Sequence, residues 1–133
     1  TYFGQGCIPV MHGMPPYDYF AIPSESRLPM HRTDVGTILV ADLIGEKLLF
    51  VKDERGLFTD DPKKNPEAEF IPKISASELI ARDLPDLVIE RPCLEILRRS
   101  EVLESLQVFD GTKEGNITRA LAGEHVGTLI TRD

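Results

Sequence analysis

The chain has 133 residues, of which 41% are hydrophobic and 28% are charged, a composition typical of one compact globular domain. Its 15 lysines and arginines face 22 aspartates and glutamates, and the net charge of −7 excludes a general basic surface for nucleic acid or an anionic membrane. Apolar segments such as residues 37–43 are far shorter than the roughly 20 residues that span a bilayer. We therefore expect neither a nucleic-acid nor a membrane partner.

The two cysteines and the first residues indicate the setting of the chain. Cys7 and Cys93 lie far apart and form no Cys-x-x-Cys motif, and we expect no signal peptide before them. This pattern favours two buried, reduced thiols and a cytoplasmic location. The chain begins with Thr1 and reaches an apolar run within a few residues, so we expect it to be a fragment of a longer protein.

The first elements predict a parallel crossover. The apolar residues 7–11 predict a short strand, although Pro9 cannot donate to its ladder. Prolines are frequent over residues 13–31, which predicts a long irregular loop. Apolar residues then recur at helical spacing from Thr33 until Gly45, and residues 47–51 form a strand-sized apolar run typical of a strand covered on both faces.

The remaining elements alternate between helix and strand. A polar segment over residues 52–72 predicts a long loop, and Ser75 with Glu78 fits a capping box that begins a helix ending or kinking at Pro85. Further predicted elements are a helix at 92–100, a strand at 106–109, a helix at 116–122 and a strand at 126–131. This order predicts an α/β fold with a mostly parallel sheet.

The loop that leaves the strand at 47–51 is the best candidate for a site. Ligands of open α/β sheets bind beyond the carboxyl ends of the strands. There, Phe58 is able to stack on a base, Asp61 to accept hydrogen bonds from ribose hydroxyls, and Lys52 to approach a phosphate or a purine acceptor. The alternative is that Phe58 fills the core and the charged residues form a solvated loop.

Other chemistries have weaker signals. His12, His31 and His125 have no zinc-site spacing, and the chain has no Gly-x-Ser-x-Gly elbow and no glycine-rich phosphate loop. Four acidic residues after the strand either bind Mg²⁺ beside a nucleotide or form a solvated loop. They are Asp60, Asp61, Glu67 and Glu69.

Several separated motifs resemble one superfamily. They are GMPPY at 13–17, RTD at 32–34, FVKDE at 50–54, the loop KDERGLFTDDP at 52–62, and the ending GNITRALAGEHVGTLI at 115–130. Their order resembles the C-terminal half of the amino acid kinase superfamily, which includes bacterial uridylate kinases. Within it, the chain resembles molybdenum storage proteins of the beta type. The resemblance implies a three-layer α/β/α sandwich, with residues 1–133 forming the C-terminal, nucleotide-side portion of a single domain.

The resemblance also implies roles for individual residues. Lys52, Phe58 and Asp61 match positions that contact the adenosine side of ATP. Arg32, Thr33 and Asp34 match the end of the phosphate-acceptor loop, or the wall of a cluster pocket. The compact acceptor loop of uridylate kinases is replaced here by the proline-rich residues 13–32, a departure that argues against binding of a nucleoside monophosphate.

The function implied is oxyanion storage. Molybdenum storage proteins are hexameric cages of alpha-type and beta-type subunits that hold molybdate or tungstate as polyoxometalate clusters, with ATP and Mg²⁺ supporting loading. The resemblance therefore implies an alpha-type partner or further copies of this chain, and His12 and His31 are candidate ligands of a cluster, packing within the loop being the alternative. The competing functional hypothesis is a uridylate kinase that transfers phosphate from ATP to UMP. No catalysis is expected of residues 1–133 alone, since a phosphate-binding loop is required.

Overall fold

A computed structural model describes residues 3–10, 33–45 and 47–133 of the chain. Its helices, in chain order, are α1 (Thr33–Ile44), α2 (Ala76–Arg82), α3 (Pro92–Arg99) and α4 (Asn116–Leu121). The strands are β1 (Leu48–Lys52), β2 (Leu57–Phe58), β3 (Phe70–Ile71), β4 (Lys73–Ser75), β5 (Ser105–Asp110) and β6 (Thr128–Thr131).

The strand predicted for residues 7–11 is wrong over its described part. A short 3₁₀ helix spans Phe3–Gln5, and residues 7–10 have no regular structure. Ile8 and Val10 are almost fully exposed, so none of the other described segments holds these residues in a ladder, and Pro9 lacks the N–H that a ladder requires. Cys7 is exposed as well, which corrects its expected burial. Met11 and the loop predicted at 13–31 lie outside the described residues.

Four strands form one mixed sheet in the order β1-β5-β6-β4. Strands β1 and β5 are parallel, with Leu48 opposite Leu106, and β4 and β6 are also parallel. In this four-stranded sheet, β5 and β6 are the antiparallel pair. Parallel pairs predominate, and the predicted α/β fold is confirmed.

Helices lie on both faces of this sheet. Leu106 and Val108 of β5 belong to the main core, which the buried residues of α1, α2 and α3 complete. Phe109, the residue after Val108, belongs to a smaller core with Ala120 of α4 and Val126. Successive strand residues point to opposite faces, so the sheet is the middle of three layers.

Strand β1 differs from the prediction on its α4 side. Leu48 and Phe50 are buried in the main core, whereas Val51 is 49% exposed. Helix α4 has only six residues, and of β1 only Leu49 packs against the smaller core. The expected cover on both faces is therefore incomplete within the described residues.

Helix α2 begins as the capping signal predicts. The Ser75 hydroxyl oxygen accepts a hydrogen bond from the Glu78 N–H at 3.1 Å, and Ile74 and Leu79 are buried on either side of the cap. The Glu78 carboxylate binds Arg82 at 2.6 Å. The helix ends at Arg82 because Asp83 adopts a left-handed conformation with φ of 45°, before Pro85 is reached.

Candidate functional site

The first cleft lies at the carboxyl end of β1. It has a volume of about 320 Å³ and is lined by Thr33, Asp34, Lys52 and residues 87–90. Lys52 is the last residue of β1, and Asp34 lies in the first turn of α1. The sequence assigned Lys52 to the nucleotide and Asp34 to the acceptor side, and the structure brings both into one cleft.

Lys52 and Asp34 form an ion pair there. The Lys52 Nζ lies 2.9 Å and 3.0 Å from the two carboxylate oxygens of Asp34, and the side chains are only 26% and 14% exposed. The Phe50 ring lies 5.7 Å below the ammonium. An ammonium has three N–H donors, of which Asp34 accepts two. The cleft therefore presents a fixed cation to a ligand.

Glu90 completes this cleft, and the sequence analysis missed it. Its carboxylate Oε2 accepts from the N–H of Val35 in the first turn of α1 at 3.0 Å. Its own N–H donates to Oδ2 of Asp34 at 3.2 Å. The partners are 55 and 56 residues away in sequence, so no local motif marks Glu90.

A second, smaller cleft of about 160 Å³ lies beside the first and contains Phe58 and Asp61. Val88 lines both clefts. The Phe58 ring is half-buried and meets the Phe70 ring edge to face, with centroids 5.4 Å apart. Phe58 is therefore supported by a second aromatic ring and still lines an open cleft. This position shares a feature with each interpretation of the sequence, stacking on a base and filling of the core.

Asp61 sits in a turn that its own neighbours organise. One carboxylate oxygen accepts from the Lys63 N–H at 2.9 Å, and the other lies 2.8 Å from the Lys64 Nζ. The hydrogen bond from Lys64 is the main cause that lowers the pKa of Asp61, and a hydrogen bond from Asn65 is the main cause that lowers the pKa of Asp60. Both side chains are thus anions near neutral pH.

The segment predicted as a long loop contains a small hairpin that carries Phe58. Strands β2 and β3 are antiparallel, with Leu57 opposite Ile71. Buried Thr128 joins this hairpin to the main sheet: its Oγ1 accepts from the Leu57 N–H at 2.8 Å and donates to the Ile71 carbonyl at 2.6 Å. The hydroxyl of one residue therefore fixes the aromatic cleft to the sheet.

Gly127 lies next to this junction and has a structural role. Its φ is 76°, and a Cβ there would lie 2.3 Å from the Val108 carbonyl and 2.6 Å from the Arg55 carbonyl. Any side chain would collide with two backbone segments. The absence of a side chain lets the loop after β1 approach β5 closely.

Metal ligands do not converge in the described part of the chain. No group of three or more His, Cys, Asp or Glu residues in residues 3–10, 33–45 and 47–133 is arranged to hold a metal ion. Asp60 and Asp61 are engaged in their own turn. The Nε2 of His125 contacts the Pro72 and Gly127 carbonyls at 2.9 and 3.1 Å. His12, His31 and Arg32 lie outside the described residues.

Cys93 is a further titratable group, and it lies close enough to the first cleft for the charges of Asp34 and Glu90 to act on it. It is fully buried, and burial, together with the charges of Asp34 and Glu90, raises the pKa of its thiol to about 12. The thiol is protonated at neutral pH and is a poor nucleophile. This confirms the prediction of a buried thiol at this position.

None of the helices in the described segments has the length and the apolar character that crossing a bilayer requires.

A mostly parallel sheet between helices, with a lysine–aspartate pair in a cleft at the carboxyl end of the edge strand β1, is the arrangement of an α/β domain that binds its ligand beyond the ends of its strands. Residues 1–104 match the model of the Amino acid kinase family, and the chain belongs to that family.

Two sequence relatives and one solved structure show which kinds of protein in this family the chain is similar to. The chain is 47% identical, over 92% of its length, to the Molybdenum storage protein subunit beta of Azotobacter vinelandii. It is 36% identical, over 77% of its length, to the Uridylate kinase of Thermofilum pendens. The crystal structure of UMP kinase from Bacillus anthracis superposes on 80% of the chain with a TM-score of 0.69 and 29% identity. The chain spans about half the length of these relatives, 46%, 46% and 43%.

Proposed function

We propose that this chain is part of a molybdenum or tungsten storage protein, which binds ATP and holds molybdate or tungstate as polyoxometalate clusters inside an oligomeric cage. The observation that carries the proposal is the 47% identity over 92% of the chain to a molybdenum storage protein subunit. The match to the uridylate kinase of Thermofilum pendens is weaker, with 36% identity over 77% of the chain. The cage would be hexameric and would contain an alpha-type subunit or further copies of this chain.

The two clefts support the ATP part of the proposal. Lys52 supplies a cation for a phosphate group, and Phe58, backed by Phe70, supplies an aromatic face for a base. Asp61 is an anion beside that face and accepts hydrogen bonds from ribose hydroxyls. Because Val88 lines both clefts, one extended ligand with a base and phosphates is able to occupy both.

The rest of the phosphate site is assigned to the part of the protein outside this chain. Residues 1–133 are proposed to be the C-terminal portion of a single domain, with glycine-rich phosphate contacts upstream. Mg²⁺ would be bound together with the phosphates of ATP, since magnesium sites commonly combine one or two carboxylates with phosphate oxygens. Arg32, Thr33 and Asp34 are proposed for the acceptor side or a cluster pocket, and His12 and His31 for contacts to a cluster.

The test is metal loading of the full-length protein. The protein is expressed and purified with molybdate or tungstate and ATP. Bound metal is measured by elemental analysis, and the size of the oligomer by size-exclusion chromatography. The expected result is an oligomer that carries many metal atoms per subunit, and fewer when ATP is left out. A pure oligomer without molybdenum or tungsten would contradict the proposal.

A uridylate kinase is the second candidate. The superposition with UMP kinase at a TM-score of 0.69 and the Lys52–Asp34 pair favour a phosphoryl-transfer site. Transfer of phosphate from ATP to UMP by the full-length protein would establish this function. If the full-length protein binds ATP but forms no UDP, the uridylate kinase function is excluded.

A further inference from the structure

The loop between α2 and α3 is closed at its base by one arginine. The Arg91 guanidinium donates to the Asp83 carboxylate at 2.7 Å and to the Leu84 carbonyl. These contacts join the two ends of the loop. Leu84 and Ile89 are buried in the main core, so the loop is anchored from inside as well.

This loop forms a wall of both clefts. Asp86 and Val88 line the cleft of Phe58 and Asp61, and residues 87–90 line the cleft of Lys52. The loop therefore contacts the whole length of the ligand proposed for the two clefts. A displacement of the loop would change the shape of both.

Glu90 joins the end of this loop to the start of α1 by two reciprocal hydrogen bonds. Its carboxylate accepts from Val35, and its backbone N–H donates to the carboxylate of Asp34, the residue before Val35. Asp34 is thus held from two sides, by Glu90 and by the Lys52 ammonium. Hydrogen bonds therefore run without a break from Glu90 through Asp34 to Lys52.

We propose that Glu90 is a positioning residue, which orients the Asp34 carboxylate and through it places the Lys52 ammonium for a nucleotide phosphate. The nucleotide part of this inference rests on the proposed ATP binding. Glu90 lies in the wall of the first cleft, and it acts on the phosphate through its hydrogen bonds to α1 and Asp34. Without this acceptor, the loop end separates from α1, Asp34 loses the Glu90 N–H, and Lys52 becomes more accessible to solvent.

The experiment compares four variants of the full-length protein. Glu90→Ala removes the acceptor, Glu90→Asp draws it away from Val35, and Glu90→Gln keeps an amide oxygen at the same distance. Glu95→Ala is the matched control, because Glu95 lies on α3 and pairs with Arg98 away from both clefts. For each variant, the acetylation rate of Lys52 is measured by mass spectrometry relative to the exposed Lys113, and ATP binding is measured by calorimetry.

The positioning role predicts a specific pattern. In Glu90→Ala and Glu90→Asp, the acetylation rate of Lys52 rises about fivefold or more and the Kd for ATP rises about tenfold. In Glu90→Gln and Glu95→Ala, both quantities stay within about twofold of the wild type. Glu90→Asp provides the test if Glu90→Ala does not fold.

Two results would overturn the inference. One is an unchanged Lys52 acetylation rate in folded Glu90→Ala or Glu90→Asp protein. The other is a Glu90→Gln variant that behaves like Glu90→Ala, because this would make the charge of Glu90 the cause. If the wild-type protein binds no ATP, the proposed function fails, while Lys52 acetylation still decides whether Glu90 positions the pair.

Discussion

Lys52 carries the phosphate part of the proposed nucleotide binding, because it is the cation that Asp34 holds in the first cleft. Replacing it by methionine keeps the length of the side chain and removes the cation next to Asp34. We expect the Kd of the full-length protein for ATP to rise at least about tenfold, or about 1.4 kcal/mol. The free energy of unfolding should fall by about 1 to 3 kcal/mol, because the mostly buried Asp34 carboxylate loses its cation.

The measurement for Lys52→Met is calorimetric titration with ATP, together with urea unfolding. Lys113→Met is the control, since Lys113 is exposed and lies in the turn after β5. An unchanged Kd in Lys52→Met would place the phosphates elsewhere.

The hydrogen bonds of Asp110 should make the free energy of unfolding depend on pH in the acid range. The Thr112 hydroxyl donates to its carboxylate at 2.6 Å, and the Thr112 N–H donates at 2.8 Å. The hydroxyl bond is the main cause that lowers the pKa of Asp110. Since the pKa is lower in the folded state than the roughly 3.9 of an unfolded chain, the stabilisation is present above that value and is lost as the pH falls through the folded-state pKa.

Asp110→Asn should therefore reduce the loss of stability below about pH 4. Urea unfolding at a series of pH values measures it, with the exposed Glu114→Gln as the control. A pH dependence in Asp110→Asn equal to that of the wild type would show that Asp110 does not contribute.

At the level of elements, the junction of the β2–β3 hairpin with the sheet depends on the Thr128 hydroxyl. Thr128→Val keeps the shape of the side chain but leaves the Leu57 N–H and the Ile71 carbonyl without a partner in a buried place. We expect a loss of about 2 to 4 kcal/mol in the free energy of unfolding. The exposed Thr118→Val should change it by less than about 0.5 kcal/mol.

Loosening of this hairpin should also weaken ligand binding. Because Phe58 lies in β2, Thr128→Val is expected to weaken ATP binding more than molybdate binding. Urea unfolding and calorimetry with each ligand measure the two effects. A variant as stable as the wild type would mean that water replaces the hydroxyl.

The elements that the sequence predicted well have local signals. The Ser75 cap and its partner lie within one turn, and α1 and α3 were predicted from apolar spacing within the helix itself. The β2–β3 hairpin was missed because its strands have two residues each and depend on Thr128, which is 71 and 57 residues away from its partners. Local patterns carry no information on such a contact.

The same distinction applies to the site. Lys52, Phe58 and Asp61 follow a recognisable strand, and the structure places each of them in a cleft. The pairing of Lys52 with Asp34 and the role of Glu90 follow from how α1, β1 and the α2–α3 loop pack. Sequence reasoning could name the residue types in the cleft, but it could not name their partners.

At the scale of the whole molecule, one apolar surface on the α4 side of the sheet has no cover in the described chain. Val51, Ile117 and Leu121 are 49%, 45% and 67% exposed. Val51 and Ile117 both lie beside Gly111, where a Cβ would come within 2.1 and 3.8 Å of their side chains. No strand among the described residues pairs with the outer edge of β1. Since the chain spans about half the length of its relatives, we expect the remaining half to cover this surface.

This expectation is tested by placing a charge on the surface in the full-length protein. Val51→Lys would bury an ammonium without a partner, and we expect the free energy of unfolding to fall by at least about 2 kcal/mol. Val102→Lys is the matched control, because Val102 is similarly exposed at 46% but lies in the segment before β5, and it should cost less than about 0.5 kcal/mol. Urea unfolding measures both variants. Equal stability of the two would mean that Val51 stays in water in the complete protein, and that the other half of the chain packs elsewhere.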